Sequence, residues 1–202
     1  MFTEYEAELM IENPKIQEAT FELKKDFVKT EAPYLEISDQ DFFSLVMMAP
    51  TVGIALANGS VSLFEELALN KKARKLSKGG YFLKKDPVVY AMKYLIKNYT
   101  VWEDKFFNVI KISMGESFDI ESMKTGGGGV EFDDATYKQA VMQTPYIMIR
   151  FMASFFLNED EDIINSRSMV LKDYEKLIDI GHKLDLDRIP VYQMFTKTFT
   201  VK

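Results

Sequence analysis

Residues 86–114 read DPVVYAMKYLIKNYTVWEDKFFNVIKISM, and this run decides the fold class. Val88, Met92, Leu95, Tyr99, Trp102, Phe106 and Val109 recur at alternating steps of four and three. That is the spacing of one helix face. Val89, Ile96, Phe107 and Ile110 widen the stripe beyond a coiled-coil seam, as in a helix at the centre of a bundle. Asp86-Pro87 marks its start, because an aspartate caps the first free N–H groups and proline has no N–H to leave orphaned. Gly115 marks its end. The spacing predicts one long helix over 87–114, about 40 Å from end to end at 1.5 Å per residue.

The same period extends outward. Thr3-Glu4-Tyr5-Glu6 has the pattern of a capping box before a short helix to about Ile11. Asn13-Pro14 opens a second helix, with Ile16, Ala19, Leu23 and Phe27 on one face. Ser38-Asp39-Gln40-Asp41 opens a third, apolar nearly all round from Phe42 to Ala57 and containing Pro50. Ser60 caps a fourth, in which Val61, Phe64, Leu67 and Ala68 are expected to face the core, ending near Gly79. Beyond the central run, Asp133 or Asp134 caps a helix through Tyr137, Val141, Met148, Met152 and Phe155, with Pro145 inside it. Asn158 to Glu161 starts another, with Ile163, Val170, Tyr174, Leu177 and Leu184 inward. Pro50 and Pro145 are expected to kink or divide their helices. Val191 to Val201 alternates in a way that suits a short strand or an arm.

The fold expected is therefore all-α: a single helical domain over 1–202, with six to eight helices and a flexible glycine-rich connection at 124–131. Gly126 to Gly129 are followed by Val130-Glu131, so the run is not a phosphate loop, which needs Gly-Lys-Ser/Thr there. Two readings of it stay open: a flexible surface connection, and a designed link in place of a longer loop. Residues 42–64 carry no charge over the length of a membrane span. Pro50, Gly53, Asn58 and Gly59 inside it, and Asp39, Asp41, Glu65 and Glu66 around it, fit a buried helix and a turn better.

Composition narrows the chemistry. The chain has no cysteine and one histidine, His182, which excludes thiolate chemistry and histidine-based zinc or facial-triad sites. His182 follows Gly181 near a helix end and is expected to cap or to face a neighbour. The run Glu159-Asp160-Glu161-Asp162 lacks the ligand order of a calcium loop. No catalytic residue, metal ligand or cofactor is assigned.

Charge points to a partner instead. Lys71, Lys72, Arg74, Lys75, Lys78, Lys84 and Lys85 fall in fifteen residues without an acid, and Tyr81 and Phe82 lie among them. The whole chain carries −6, so the rest of it carries −13. Cations at a helix end also offset the helix dipole, with Gly79 at the C-cap. The expectation is a cytoplasmic, non-enzymatic interaction or assembly module that self-associates and uses 71–85 as its partner surface. Acidic counterparts are residues 1–41 and 116–134. Nucleic acid is an alternative partner, disfavoured by the acidity of the chain. A second alternative is a carrier of an apolar or lipid-like ligand. Its pocket would be lined by Met47, Met48, Met148 and Met152, with Arg150 as anchor for an anionic head group or for a buried Glu65 or Glu66.

Overall fold

The computed structural model describes residues 2–79, 86–124, 131–158 and 160–202. The fold is all-α, but with eleven helices among the described residues rather than six to eight. They are α1 (Glu4–Ile11), α2 (Pro14–Glu31), α3 (Asp39–Ala55), α4 (Leu63–Leu76), α5 (Pro87–Lys97), α6 (Tyr99–Ser117), α7 (Ile120–Met123), α8 (Asp134–Gln143), α9 (Tyr146–Phe156), α10 (Leu171–Lys183) and α11 (Pro190–Lys197). Two short strands, β1 (Arg167–Met169) and β2 (Phe199–Val201), pair in parallel. β2 is the C-terminal strand the alternation suggested.

Most of the capping chemistry read from the sequence forms as expected, the exception being α4, which Ser62 caps in a box with Glu65 and Ser60 does not. Thr3 and Glu6 complete a capping box on α1. Asn13 accepts from the N–H groups of Lys15 and Ile16, Ser38 from Asp41, and Asp86 from Val88 and Val89. The hub is α3. Its residues are buried on every side, and α1, α2, α4, α5, α6, α9 and α10 all pack against it. Phe27, Phe42, Trp102 and Phe106 form one aromatic cluster with centroids about 5–6.5 Å apart. Each such side chain contributes roughly 1.5–3 kcal/mol by leaving water. Pro50 does not divide α3, which runs on to Ala55. Packing on all sides holds it helical past the missing N–H.

The long helix over 87–114 is not continuous. It breaks at Asn98 (φ −122°, ψ 30°) into α5 and α6. Every member of the 4-3 stripe is nevertheless buried. A straight rod of that length would run off α3, whereas the two pieces both stay against it. Asparagine favours such a break because its amide competes for hydrogen bonds with the helix backbone. Here Asn98 donates to Glu31, which also accepts from Trp102 Nε1 at 2.7 Å.

Pro145 divides its segment, one of the two expected outcomes, but it sits in an exposed turn between α8 and α9, with Met142 and Tyr146 exposed beside it, and not within a buried helix. Among the described residues, no helix begins at the acidic run, where one was expected. The Asp162 carboxylate accepts from the N–H groups of Ile164 and Asn165, both at 2.8 Å, and that turn leads into β1. Val170 is exposed accordingly, while Ile163 is buried outside any helix.

Two tyrosines lock helices through glycine. The Tyr99 hydroxyl donates to the Ala49 carbonyl at 2.9 Å and lies over Gly53, where a Cβ would stand 2.3 Å from it. The Tyr192 hydroxyl donates to the Leu177 carbonyl at 2.9 Å and lies over Gly181, with 1.8 Å left for a Cβ. In both cases the glycine is four residues beyond the acceptor, so the ring crosses one helical turn. Close by, the buried Glu103 carboxylate on α6 accepts from Lys176 Nζ at 2.7 Å and from Lys183 Nζ, tying α10 to α6. Burial opposes the Lys183 charge, but Glu103 together with Asp179 and Asp104 outweighs it and holds the ammonium pKa above its ordinary value.

Candidate functional site

The basic stretch has a defined frame. Leu69, Lys72, Ala73 and Leu76 are the buried face of α4. Its end is fixed by the start of α3: Ser44 donates to the Leu76 carbonyl at 2.7 Å, and Asp41 accepts from the Lys78 N–H at 2.8 Å. The Ser77 hydroxyl donates to Asp86 at 2.8 Å, linking the same end to the cap of α5. Gly79 takes φ +75°, the left-handed region expected past the helix end.

This seating turns α4 the opposite way from the expectation. Phe64 is 84% exposed and Leu67 57%, with Leu63 and Ala68 exposed beside them. The residues expected in the core therefore face outward, and Val61 alone of that set is half-buried. Phe64, Leu67, Lys71, Arg74 and Lys78 now follow one another at steps of three and four on the outer face. The first two turns of that face are apolar and the rest is basic.

Lys72 leaves the surface set. It is 5% exposed, and its ammonium donates to Thr51 Oγ1 at 2.8 Å and to the Ser154 carbonyl. Thr51 itself donates towards the Ser154 and Phe155 carbonyls at 3.1 and 3.2 Å. These carbonyls end α9, where four C=O groups have no partner within the helix. Lys72 thus caps α9 from inside, and its charge suits the negative end of that dipole. Lys71, Arg74, Lys75 and Lys78 remain on the exposed side. Tyr81, Phe82, Lys84 and Lys85 lie outside the described residues, as do Gly126 to Gly129.

The four methionines expected to line a pocket lie in the core. Met47, Met48, Met148 and Met152 are at most 1% exposed and belong to the hydrophobic core. Arg150 pairs with Glu6, not with Glu65 or Glu66: its Nε donates to Glu6 Oε1 at 2.9 Å and its Nη2 to Oε2. Burial works against the Glu6 charge, yet Arg150 and Thr3 together hold its carboxyl below the usual range. His182 is exposed, with Nδ1 3.2 Å from Asp187.

A cleft without any mark in the sequence lies beside α4. It encloses about 540 Å³ between α4, the end of α9, β1 and the start of α10. Phe155, Phe156, Leu157 and Phe199 supply apolar walls, and its charged lining mixes Lys71, Lys72 and Arg167 with Glu65, Asp160, Glu161 and Asp173. Arg167 is pinned by the Asn165 carbonyl (2.7 Å) and the Phe199 ring (5.3 Å). Burial, then the neighbouring Glu65, pushes the Asp173 carboxyl upward, and Asn58 partly offsets this. The cleft escapes sequence reading because Arg167 and Asp173 come from a segment whose period looked helical throughout. Among the described residues, no cluster of three or more carboxylate or histidine side chains is arranged to hold a metal, and no helix is long and apolar enough to cross a membrane.

No family model matches the chain, and no curated protein or solved structure matches it either.

Proposed function

We propose that the protein is a non-enzymatic interaction or assembly module that docks a protein partner on the outward face of α4. One observation carries this reading. Leu63, Phe64 and Leu67 are exposed together on two turns of a helix whose opposite face is firmly seated. Large apolar side chains grouped on a surface mark contact sites, while scattered ones do not. The cations that continue the stripe favour an acidic partner and steer its approach. The more buried charged groups support the same reading, since Lys72 caps α9 and the Glu103–Lys176–Lys183 and Arg150–Glu6 ion pairs hold helices together.

A photo-crosslinking residue in place of Phe64, in the cells that make the protein, tests this directly. A protein adduct at position 64, lost when the same residue replaces the exposed Val101 on α6, is the expected result. Absence of any adduct at 64 overturns the reading. A nucleic-acid adduct there replaces the protein partner with the nucleic-acid alternative.

The cleft supports a second reading, a carrier of an apolar ligand. Its aromatic walls and roughly 540 Å³ suit a small molecule, in place of the methionine-lined pocket expected from the sequence. Native mass spectrometry of the purified protein would carry a co-purified ligand as added mass, and a bare chain mass in repeated preparations counts against it.

A further inference from the structure

We infer that the partner of α4 is a second copy of this chain, and that the surface it offers is the outward face of α1. The inference rests on the docking role proposed for α4 and names its occupant. Tyr5, Glu8, Leu9 and Glu12 all point outward, Tyr5 at 66% and Leu9 at 47% exposure. They stand at i, i+3, i+4 and i+7, which is one helix face. The face mixes two large apolar side chains with two carboxylates. The face of α4 mixes Phe64 and Leu67 with Arg74 and Lys78. Apolar meets apolar and acid meets base, whereas either face against itself brings like charges together.

The position of the two helices strengthens the case. α1 and α4 touch within one copy, and both are anchored on Ser154: the Phe2 N–H donates to its hydroxyl at 2.6 Å and Lys72 to its carbonyl. Complementary faces on adjoining elements are what a two-fold axis uses, because α1 of each copy then meets α4 of the other. The contact is made twice. A single helix face falls short of the ~1,200 Å² total of a specific interface, and doubling it closes much of that gap. Charge complementarity also makes the association salt-sensitive, since exposed charges are screened within about 8 Å at physiological ionic strength.

The test uses the full chain and charge reversal. One variant carries Arg74→Glu and Lys78→Glu, the other Glu8→Lys and Glu12→Lys. All four positions are exposed, so circular dichroism should show both variants folded. In sedimentation velocity the wild type is expected to be a dimer at about 50 mM salt that dissociates at about 500 mM. Each variant alone is expected to be a monomer, because α1 and α4 then carry the same sign. The two variants mixed are expected to form a one-to-one dimer, and a chain with all four substitutions to dimerise as the wild type does. A wild type that stays monomeric at both salts overturns the inference. So does a mixture that fails to associate, or a variant that still dimerises alone. If the wild type is monomeric but Phe64 crosslinks to a different protein in cells, α4 docks another partner and only the identity of the occupant is wrong. With neither a dimer nor an adduct, both readings fall.

Discussion

Replacing Gly53 with alanine sets a steric clash against a helix-propensity gain, and the structure says which wins. The added Cβ would stand 2.3 Å from Tyr99 Oη, 2.9 Å from its Cζ and 3.2 Å from Ile180 Cδ1. Overpacking of this kind costs about 1–3 kcal/mol. Displacing the Tyr99 hydroxyl from the Ala49 carbonyl adds about 1 kcal/mol. Alanine in a helix interior returns about 1 kcal/mol relative to glycine. Gly53→Ala should therefore destabilise by roughly 1–3 kcal/mol, since the last two contributions cancel. Tyr99→Phe alone should cost about 1 kcal/mol for the lost hydrogen bond. Combined, the hydroxyl is gone but the Cζ contact at 2.9 Å and the Ile180 Cδ1 contact at 3.2 Å remain, so the alanine should cost clearly less than it does beside Tyr99 without becoming neutral. Gly181 provides the contrast. There the Cβ would meet Tyr192 Oη at 1.8 Å, Cζ at 2.2 Å and Cε1 at 2.6 Å, so removing the hydroxyl leaves the ring in the way. Tyr192→Phe should not rescue Gly181→Ala. Urea unfolding measures all of this. With a slope of about 2 kcal/mol per molar, a loss of 2 kcal/mol moves the midpoint down by about 1 M. The steric account is refuted if Gly53→Ala costs the same with and without the Tyr99 hydroxyl, or if both phenylalanines rescue equally.

Glu6→Gln should destabilise by about 1.5–3 kcal/mol at neutral pH, the worth of hydrogen bonds to a charged group. The Glu6 carboxyl is held below its ordinary value, so its contribution is present above about pH 4.3 and lost as pH falls through the lowered folded value. Wild type and variant should converge as the acid side of that transition is reached, and urea midpoints that stay equally far apart however far the pH is lowered would count against the pair. Lys72→Met should lower stability by about 1–3 kcal/mol while leaving oligomeric state unchanged, and an unaltered urea midpoint would remove the internal cap from the account. Glu103→Gln should be less stable than the wild type at neutral pH, by a margin that shrinks as pH rises through the raised Lys183 value, above 10.5. Alkaline unfolding curves of the two proteins that never converge would contradict that link.

The helix ends were the most legible part of this sequence. Thr3, Asn13, Ser38, Asp86 and Asp133 each cap the helix they were expected to cap, because capping is local chemistry between a side chain and its own next turn. Face assignment was less secure where two stripes competed. On α4, Phe64 and Leu67 suggested one inward face, but Leu69, Ala73 and Leu76 make another, and α3 accepts the second. Lys72 lies on that second stripe, three residues after Leu69 and four before Leu76, so its burial had a signal that its charge obscured. The break at Asn98 had one local mark, the asparagine itself, which the uninterrupted apolar stripe on either side of it obscured. Arg150 had a visible need for a carboxylate, but its partner 144 residues away could not be chosen from spacing.

The placement of Lys72 gives one short peptide a built-in contrast in reactivity. Lys71, Lys75 and Lys78 are exposed neighbours of an amine whose nitrogen is enclosed at the end of another helix. An acylating reagent attacks only an amine it can reach, so three of these four lysines should react in the folded protein while Lys72 waits for α4 to lift from Ser154. The rate at which Lys72 is modified, set against its neighbours in the same digest, is then a clock for that opening. The stretch that reads as a uniform basic patch contains its own internal standard.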